Sequence, residues 1–294
     1  MRVGLIDVDS HNFPNLALMK LSAYHKGRGD SVEWWNGLLH YDVVYKSKVF
    51  TDDYSFDPDF CINADEIIKG GTGYDLVNKL PDEIEHSRPD YGLYYIKNTA
   101  YGFLTRGCPR NCPFCIVSEK EGKTRTVADL SEWWNGQSNI VLMDSNITAS
   151  KDCEKHFDTL IKSKAKINFE GGGLDVRFLT DKGADQLNEM NVTMLHFAWD
   201  SYEFETYDKL KRIRPLINLD ARHIGVYVLT NFNTNHVQDL ERIYKLKELD
   251  VTPYVMIYNK RTAPKETRHL QRWVNNRFVF RACERFEDYD PRKA

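Results

Sequence analysis

The chain has 294 residues, 41% hydrophobic, 28% charged and 13% aromatic, with a formal net charge of −3. This composition excludes a disordered or low-complexity protein, and the length suits one α/β barrel, or a small domain followed by a larger one. No run approaches the roughly 18 apolar residues of a membrane span, and the start MRVGLIDVDSHNF reaches aspartates too soon for a leader, so a cytoplasmic protein with no membrane partner is expected.

Residues 1–95 read as short strands alternating with helices. RVGLIDV suits a buried parallel strand, LALMKLSAYHKG has helical spacing in Leu16, Met19, Leu21 and Tyr24, and YDVVYKS and FCINAD read as further strands. KLPDEIEHSRPDYGLYY, with Pro81 and Pro89 among charges, reads as a linker. Small α/β units of this kind bind ligands at the carboxyl ends of their strands.

From residue 100 the alternation becomes regular. The apolar runs AYGFLTRG, NIVLMDSN, AKINFEGG, VTMLHFAWD, HIGVYVLTNFN and TPYVMIYN are separated by the helical candidates VADLSEWWNG, CEKHFDTLIKSK, DKGADQLNEMN, EFETYDKLKRIR and NHVQDLERIYKLKEL. Repeated strand-helix units predict parallel strands with right-handed crossovers, closing into a barrel or a strongly curved sheet. An enzyme built this way carries its chemistry on the loops after the strands.

The loop after the first of these strands is GCPRNCPFC, which gathers Cys108, Cys112 and Cys115. The cysteines are too few for a disulfide framework, so the cluster points to metal or redox chemistry in a reducing compartment. Spaced by three and then two residues, these thiolates can meet at one centre only in a loop, which Pro109 and Pro113 stiffen against helix formation. A structural zinc site usually takes four protein ligands, and no second Cys or His pair has matching spacing. A redox pair at CPFC leaves the third cysteine unexplained. A four-iron cluster normally takes four cysteines, so three leave one iron open to an outside ligand. Cys61, Cys153 and Cys283 stand alone and read as small buried hydrophobes.

Cys-x3-Cys-x2-Cys after the first strand of such a barrel, with Phe114 just before the last cysteine, resembles the signature of the radical S-adenosylmethionine (SAM) enzymes. The resemblance spans residues 100–258. It implies an α/β fold with a partial (β/α)6 barrel, and a [4Fe-4S] cluster on Cys108, Cys112 and Cys115 whose open iron is chelated by SAM. Reductive cleavage would then give a 5′-deoxyadenosyl radical that takes a hydrogen atom from a substrate. An external donor of the flavodoxin or ferredoxin type is implied, since the other cysteines lack the spacing for a second cluster.

Other strand ends extend the comparison. Asp144 and Asn146 in MDSNI resemble the acidic strand end of the cobalamin-associated branch, with a turn or helix cap as the alternative. FEGGGLDVRF carries Glu170, a glycine run, Asp175 and Arg177. It is similar to a GLDIR-like stretch of related enzymes, which marks Arg177 as a cofactor or substrate ligand, against a salt bridge. In HFAWDS, alternation puts His196, Ala198 and Asp200 on one face and Phe197 and Trp199 on the other. Asp200 is then a ligand for ribose or substrate, or a helix N-cap. Asn231 and Asn233 stand where relatives often have a glycine-rich turn near the adenosine.

A small Rossmann-like unit, a linker and then this loop are similar to cobalamin-binding radical enzymes. Asp9 to Pro14, DSHNFP, matches the start of the Asp-x-His-x-x-Gly cobalamin motif, and IIKGGTGYD resembles a glycine loop after a fourth strand, with Gly70, Gly71 and Gly73 as phosphate or nucleotide contacts. Pro14 replaces the motif's glycine and the unit is short, so it is read as a cobalamin-binding-like domain that has lost the corrin. The segment from Lys260 to Lys293 holds ten Lys or Arg against five Asp or Glu. In it Arg268, Arg272, Arg277, Arg281 and Arg285 lie broadly on one helical side, among Trp273, Phe278 and Phe280. This reads as an amphipathic helix closing the barrel, with nucleotide or nucleic-acid binding as the alternative. The domains are thus 1–95, 96–258 and 259–294. The expected function is radical SAM hydrogen abstraction from an unidentified substrate; the rivals are a methyl or methylthio transferase acting on RNA or another nucleic acid, and a non-catalytic zinc or iron-sulfur binding module.

Overall fold

The structure, a computed structural model, describes residues 1–11, 13–51, 55–57, 61–170 and 173–292. At the N-terminus, β1 (Arg2–Asp7), β2 (Ser31–Trp34), β3 (Tyr41–Ser47) and β4 (Ala64–Gly70) form a parallel sheet in the order β2-β1-β3-β4. Helix α1 (Leu16–Gly27) covers β1 with Leu16, Leu18, Met19 and Leu21. It starts where Asn15 caps it by accepting from the Leu18 amide at 3.2 Å. β1, α1 and β3 lie where alternation and periodicity put them. β2, whose SVEW pattern is only half apolar, escapes a reading by hydrophobic runs. The strand expected in FCINAD starts only at Ala64, and Phe60 lies outside the described residues.

The expected linker is packed rather than free. It holds α2 (Asp82–Glu85) and a 3₁₀ turn over Tyr91–Tyr94, which bury Ile84 and Leu93 against α1. Asp90 accepts from Ser22 and Lys26 of that helix at 2.7 Å each.

Two further parallel sheets follow. One is ordered β10-β9-β8-β5, from β5 (Thr99–Gly102), β8 (Asn139–Leu142), β9 (Lys166–Phe169) and β10 (Asn191–Val192). The other is β11-β12-β13, from β11 (Leu195–Ala198), β12 (Ile224–Thr230) and β13 (Thr252–Ile257). Between β5 and β8 lie the antiparallel pair β6 (Thr105–Arg106) and β7 (Arg125–Thr126), α3 (Val117–Glu121) and α4 (Leu130–Trp133). The crossovers are α5 (Cys153–Ser163), α6 (Asp181–Glu189), α7 (Glu205–Ile213) and α8 (His236–Glu248). The run VTMLHFAWD, expected as one strand, breaks into β10 and β11 and so supplies an edge to each sheet.

Phe197 and Trp199 are fully buried while His196, Ala198 and Asp200 are half-buried, the alternation expected of this strand. One core runs through both sheets and their helices; a second lies between α1 and the N-terminal sheet.

In the tail, α9 (Lys265–Asn275) packs on β13 and buries Leu270, Trp273 and Val274. The arginine spacing does not run along one helix. Asn276 ends α9 and caps α10 (Arg277–Ala282), and Arg285 follows both. The five arginines are exposed, whereas the fully buried Trp273 rests on Tyr244, Phe280 and Phe286. No helix among the described residues is long and apolar enough to cross a membrane.

Candidate functional site

The cysteine loop leaves β6 at Gly107, whose φ of +88° favours glycine and whose missing Cβ would lie 2.5 Å from the Lys123 carbonyl. The loop is anchored at the end of α3, where the Glu121 carboxylate accepts from the Gly107 amide at 2.9 Å and from Arg106 at 2.9 Å, and the Cys108 amide donates to the Gly122 carbonyl at 3.0 Å. A tight turn, with the Cys115 amide donating to the Cys112 carbonyl at 3.0 Å, draws the last two cysteines together. Cys108 and Cys112 are half-buried and Cys115 is exposed.

Two groups address the sulfurs. Asn146, 3% exposed in the loop after β8, where it caps the 3₁₀ turn Ile147–Ala149, donates from Nδ2 to Cys108 Sγ at 3.3 Å. Its Oδ1 is held by the Thr148 hydroxyl at 2.9 Å and the Ala149 amide at 3.2 Å, which fixes the direction of the donor. Arg110, between the first two cysteines, lies against Cys112; burial raises that thiol's pKa and the guanidinium opposes the rise. Arg110 Nη1 also lies 3.9 Å from Asp175, within the field of Asp200.

The remaining residues singled out from the sequence divide by what holds them. The Asp144 carboxylate, 1% exposed, accepts from the Leu104 amide at 3.2 Å and from the Thr105 amide and hydroxyl at 2.5 and 2.6 Å. It therefore fastens the root of the cysteine loop, and burial pushes its pKa up to about 6. Arg177 forms a bidentate pair with Asp175 at 2.7 and 2.8 Å, the salt-bridge alternative, while the guanidinium that bears on Cys112 is that of Arg110. Glu170 is exposed and accepts from Asn168 at 2.9 Å. Gly171 and Gly172 of the glycine run lie outside the described residues. Gly173 approaches so closely that a Cβ would lie 2.5 Å from the Asp144 carbonyl. Asp200 caps no helix, since α7 starts at Glu205 behind Phe204; burial raises its pKa against Arg110 and Arg242. Asn231 adopts φ +59°, so it fills a glycine-like position, and its Nδ2 donates to the Asn259 carbonyl at 2.9 Å. Phe114 meets Phe232 edge-on at 5.4 Å, and Phe232 meets Tyr258 at 4.8 Å, which joins the cysteine loop to the ends of β12 and β13.

No family model matches the sequence, and no curated protein sequence matches it. Among solved structures it is similar to the radical SAM methyltransferase TsrM from Kitasatospora setae, determined with cobalamin and a [4Fe-4S] cluster bound. The TM-score is 0.64 at 11% identity, over 87% of this chain and 74% of that one. The chain shares the fold of that enzyme. A second likeness, to Streptococcus suis SuiB bound to precursor peptide SuiA, has a TM-score of 0.43 at 9% identity, over 79% of this chain and 55% of that one.

Within this fold, several residues that shape the site escape a reading by motif. Arg110 was visible between the cysteines, but its charge had no evident target. Glu121 lies in a short polar helix and shows its role only through Gly107 and Arg106. Arg242 of α8, fully buried, donates to the Trp199 carbonyl at 2.6 Å and the Leu229 carbonyl at 2.7 Å, and so pins the ends of β11 and β12 beside Asp200 and Asn231. Of the solitary cysteines, Cys153 and Cys283 are half-buried, desolvation pushes the Cys153 pKa up to about 12, and Cys61 is exposed rather than a buried hydrophobe. Among the described residues, no three His, Cys, Asp or Glu side chains stand together as a ready metal site.

Proposed function

We propose that this chain is a radical SAM enzyme in which Cys108, Cys112 and Cys115 hold a [4Fe-4S] cluster. The observation that supports the reading is a three-cysteine loop that follows β5 and β6 in a fold shared with a radical SAM methyltransferase. The donor set fits: three thiols in one loop, an Asn146 amide directed at one sulfur and the Arg110 guanidinium at another. Such donors favour the thiolate form that a cluster requires. When bound, the cluster supplies one electron to cleave SAM to methionine and a 5′-deoxyadenosyl radical, which takes a hydrogen atom from the substrate.

The chain's own residues have definable parts. Gly107, Glu121 and Asp144 set the root of the loop; Asn146 and Arg110 tune its sulfurs; loading draws the three thiols together. Phe114, Asn146, Glu170, Asp200 and Asn231, on loops or strand ends of the two sheets, are assigned to SAM and substrate. Arg177 and Asp144 act indirectly, through Asp175 and Thr105. We assign β5 and β8 to β13 to one partial (β/α)6 barrel over 96–258, supported by the shared run VTMLHFAWD and the Phe114–Phe232–Tyr258 contact. Residues 1–95 and 259–294 flank it as separate units, and an external flavodoxin or ferredoxin supplies the electron.

The N-terminal unit is assigned as cobalamin-binding-like without a bound corrin. Its Asp9 carboxylate is buried and spent on the Val49 and Phe50 amides at 2.7 and 2.8 Å. His11 is exposed, and Asn12 of the same motif lies outside the described residues. The glycine loop after β4 serves close backbone packing, since a Cβ on Gly71 would lie 2.3 Å from the Lys48 carbonyl. Cobalt retained by protein produced with cobalamin would overturn this assignment and favour methyl transfer, the activity named for TsrM. Anaerobic reconstitution with iron and sulfide, then reduction with SAM, tests the main reading. Formation of 5′-deoxyadenosine well above a Cys112→Ala control is expected, and no excess over that control would leave a non-catalytic metal module.

A further inference from the structure

Strand β4 stands apart from the rest of the N-terminal sheet. It pairs with β3 on one side and with no strand on the other among the described residues. Alternation should bury every second residue of a strand on a covered sheet, yet every residue from Asp65 to Lys69 is exposed, including Ile67 and Ile68 at 38% each. An open groove lined by Ile67, Ile68, Lys69 and Asn78 runs beside it. A seven-residue edge with apolar side chains on both faces is a template for another strand.

The sequence of β4 selects its own partner. Tyr41 donates to the Asn63 carbonyl, which turns the peptide groups of Asp65 and Ile67 toward β3 and those of Glu66 and Ile68 to the open edge. Two copies placed antiparallel about a dyad at Ile67 would set Glu66 opposite Ile68 as a hydrogen-bonded pair. Asp65 would then face Lys69 twice, with Ile67 against Ile67 between them. Shifting the dyad to Glu66 would instead oppose two glutamates. The register centred on Ile67 is the one that pairs both charges with opposite charges while keeping Glu66 and Ile68 in hydrogen-bonding positions.

We propose that this chain forms a two-fold symmetric dimer through antiparallel β4–β4 pairing, which joins two four-stranded sheets into one of eight. Across the dyad, Asp65 exchanges its exposed His40 contact at 3.1 Å for the partner's lysine, and Lys69, which lies over the Tyr74 ring at 5.5 Å, reaches the partner's aspartate in addition to its contacts within the chain. The surface is independent of the cysteine site, so the dimer stands or falls separately from the catalytic reading.

The test is sedimentation equilibrium of the full chain. Wild type is expected as a dimer. Asp65→Lys alone opposes lysines twice, and Lys69→Asp alone opposes aspartates twice, so each should raise the dimer dissociation constant roughly tenfold or more. The double variant Asp65→Lys/Lys69→Asp restores both pairs and should restore the dimer. Far-ultraviolet circular dichroism of every variant controls for folding. A monomeric wild type, single reversals without effect, or a double variant no better than the singles would each overturn the proposal.

Discussion

Replacing Arg242 with methionine keeps most of the side-chain volume and removes every donor. In the native fold this guanidinium is 0% exposed; besides its two bonds to strand-end carbonyls it pairs with Asp239 at 2.6 Å. Burial alone would lower its pKa, and Asp239 opposes that. Its Nε has no hydrogen-bond partner, so the residue already carries one uncompensated polar atom. The variant leaves Asp239, 2% exposed, with only the Thr234 hydroxyl at 2.6 Å, and leaves the Trp199 and Leu229 carbonyls without their donor. Breaking a buried pair by removing one partner costs about 3–5 kcal/mol. Each orphaned acceptor accounts for about 1–3 kcal/mol of that scale. A loss of roughly 4 kcal/mol would be a large fraction of the ~5–15 kcal/mol typical of a folded domain. Urea unfolding followed by tryptophan fluorescence should show a much lower midpoint. Adding Asp239→Leu should recover part of the loss, because the stranded carboxylate goes with it. A loss under about 1 kcal/mol, or no recovery in the double variant, would refute the view that this pair holds the ends of β11 and β12.

Three further outcomes concern the cysteine loop. Asp144 binds its proton more tightly folded, at about 6, than at its ordinary value of 3.8, so its contribution is fullest below about pH 4 and is lost as pH rises to about 6. The change is of order 3 kcal/mol, and Asp144→Asn should abolish that slope in unfolding measured from pH 4 to 7. Asn146→Ala removes the donor to Cys108 and a cap, and is expected to cost about 1 kcal/mol in unfolding and to lower the reduction potential of a reconstituted cluster in a spectroscopic titration. Gly107→Ala forces a side chain into φ +88° against the Lys123 carbonyl, and should cost about 1–3 kcal/mol and reduce the iron retained on reconstitution, read by metal analysis.

What the sequence by itself determined is whatever lies in the order of near neighbours. The spacing of CPRNCPFC, the helix over Leu16–Gly27, the strand at Tyr41–Ser47 and the alternation at His196 to Asp200 are properties of period and proximity. Hydrophobic runs could not show β2, which is short and half polar, nor the break that splits one run into β10 and β11, because a ladder depends on its partner strand. Tertiary structure alone decided which strand-end charges are already engaged. Arg177 meets its carboxylate two positions away, but Asp144 finds Thr105 at a separation of 39 residues, and Arg242 finds Trp199 at 43. A charge in the sequence announces only that it needs a partner. Packing determines whether the chain supplies that partner or leaves the group to a ligand.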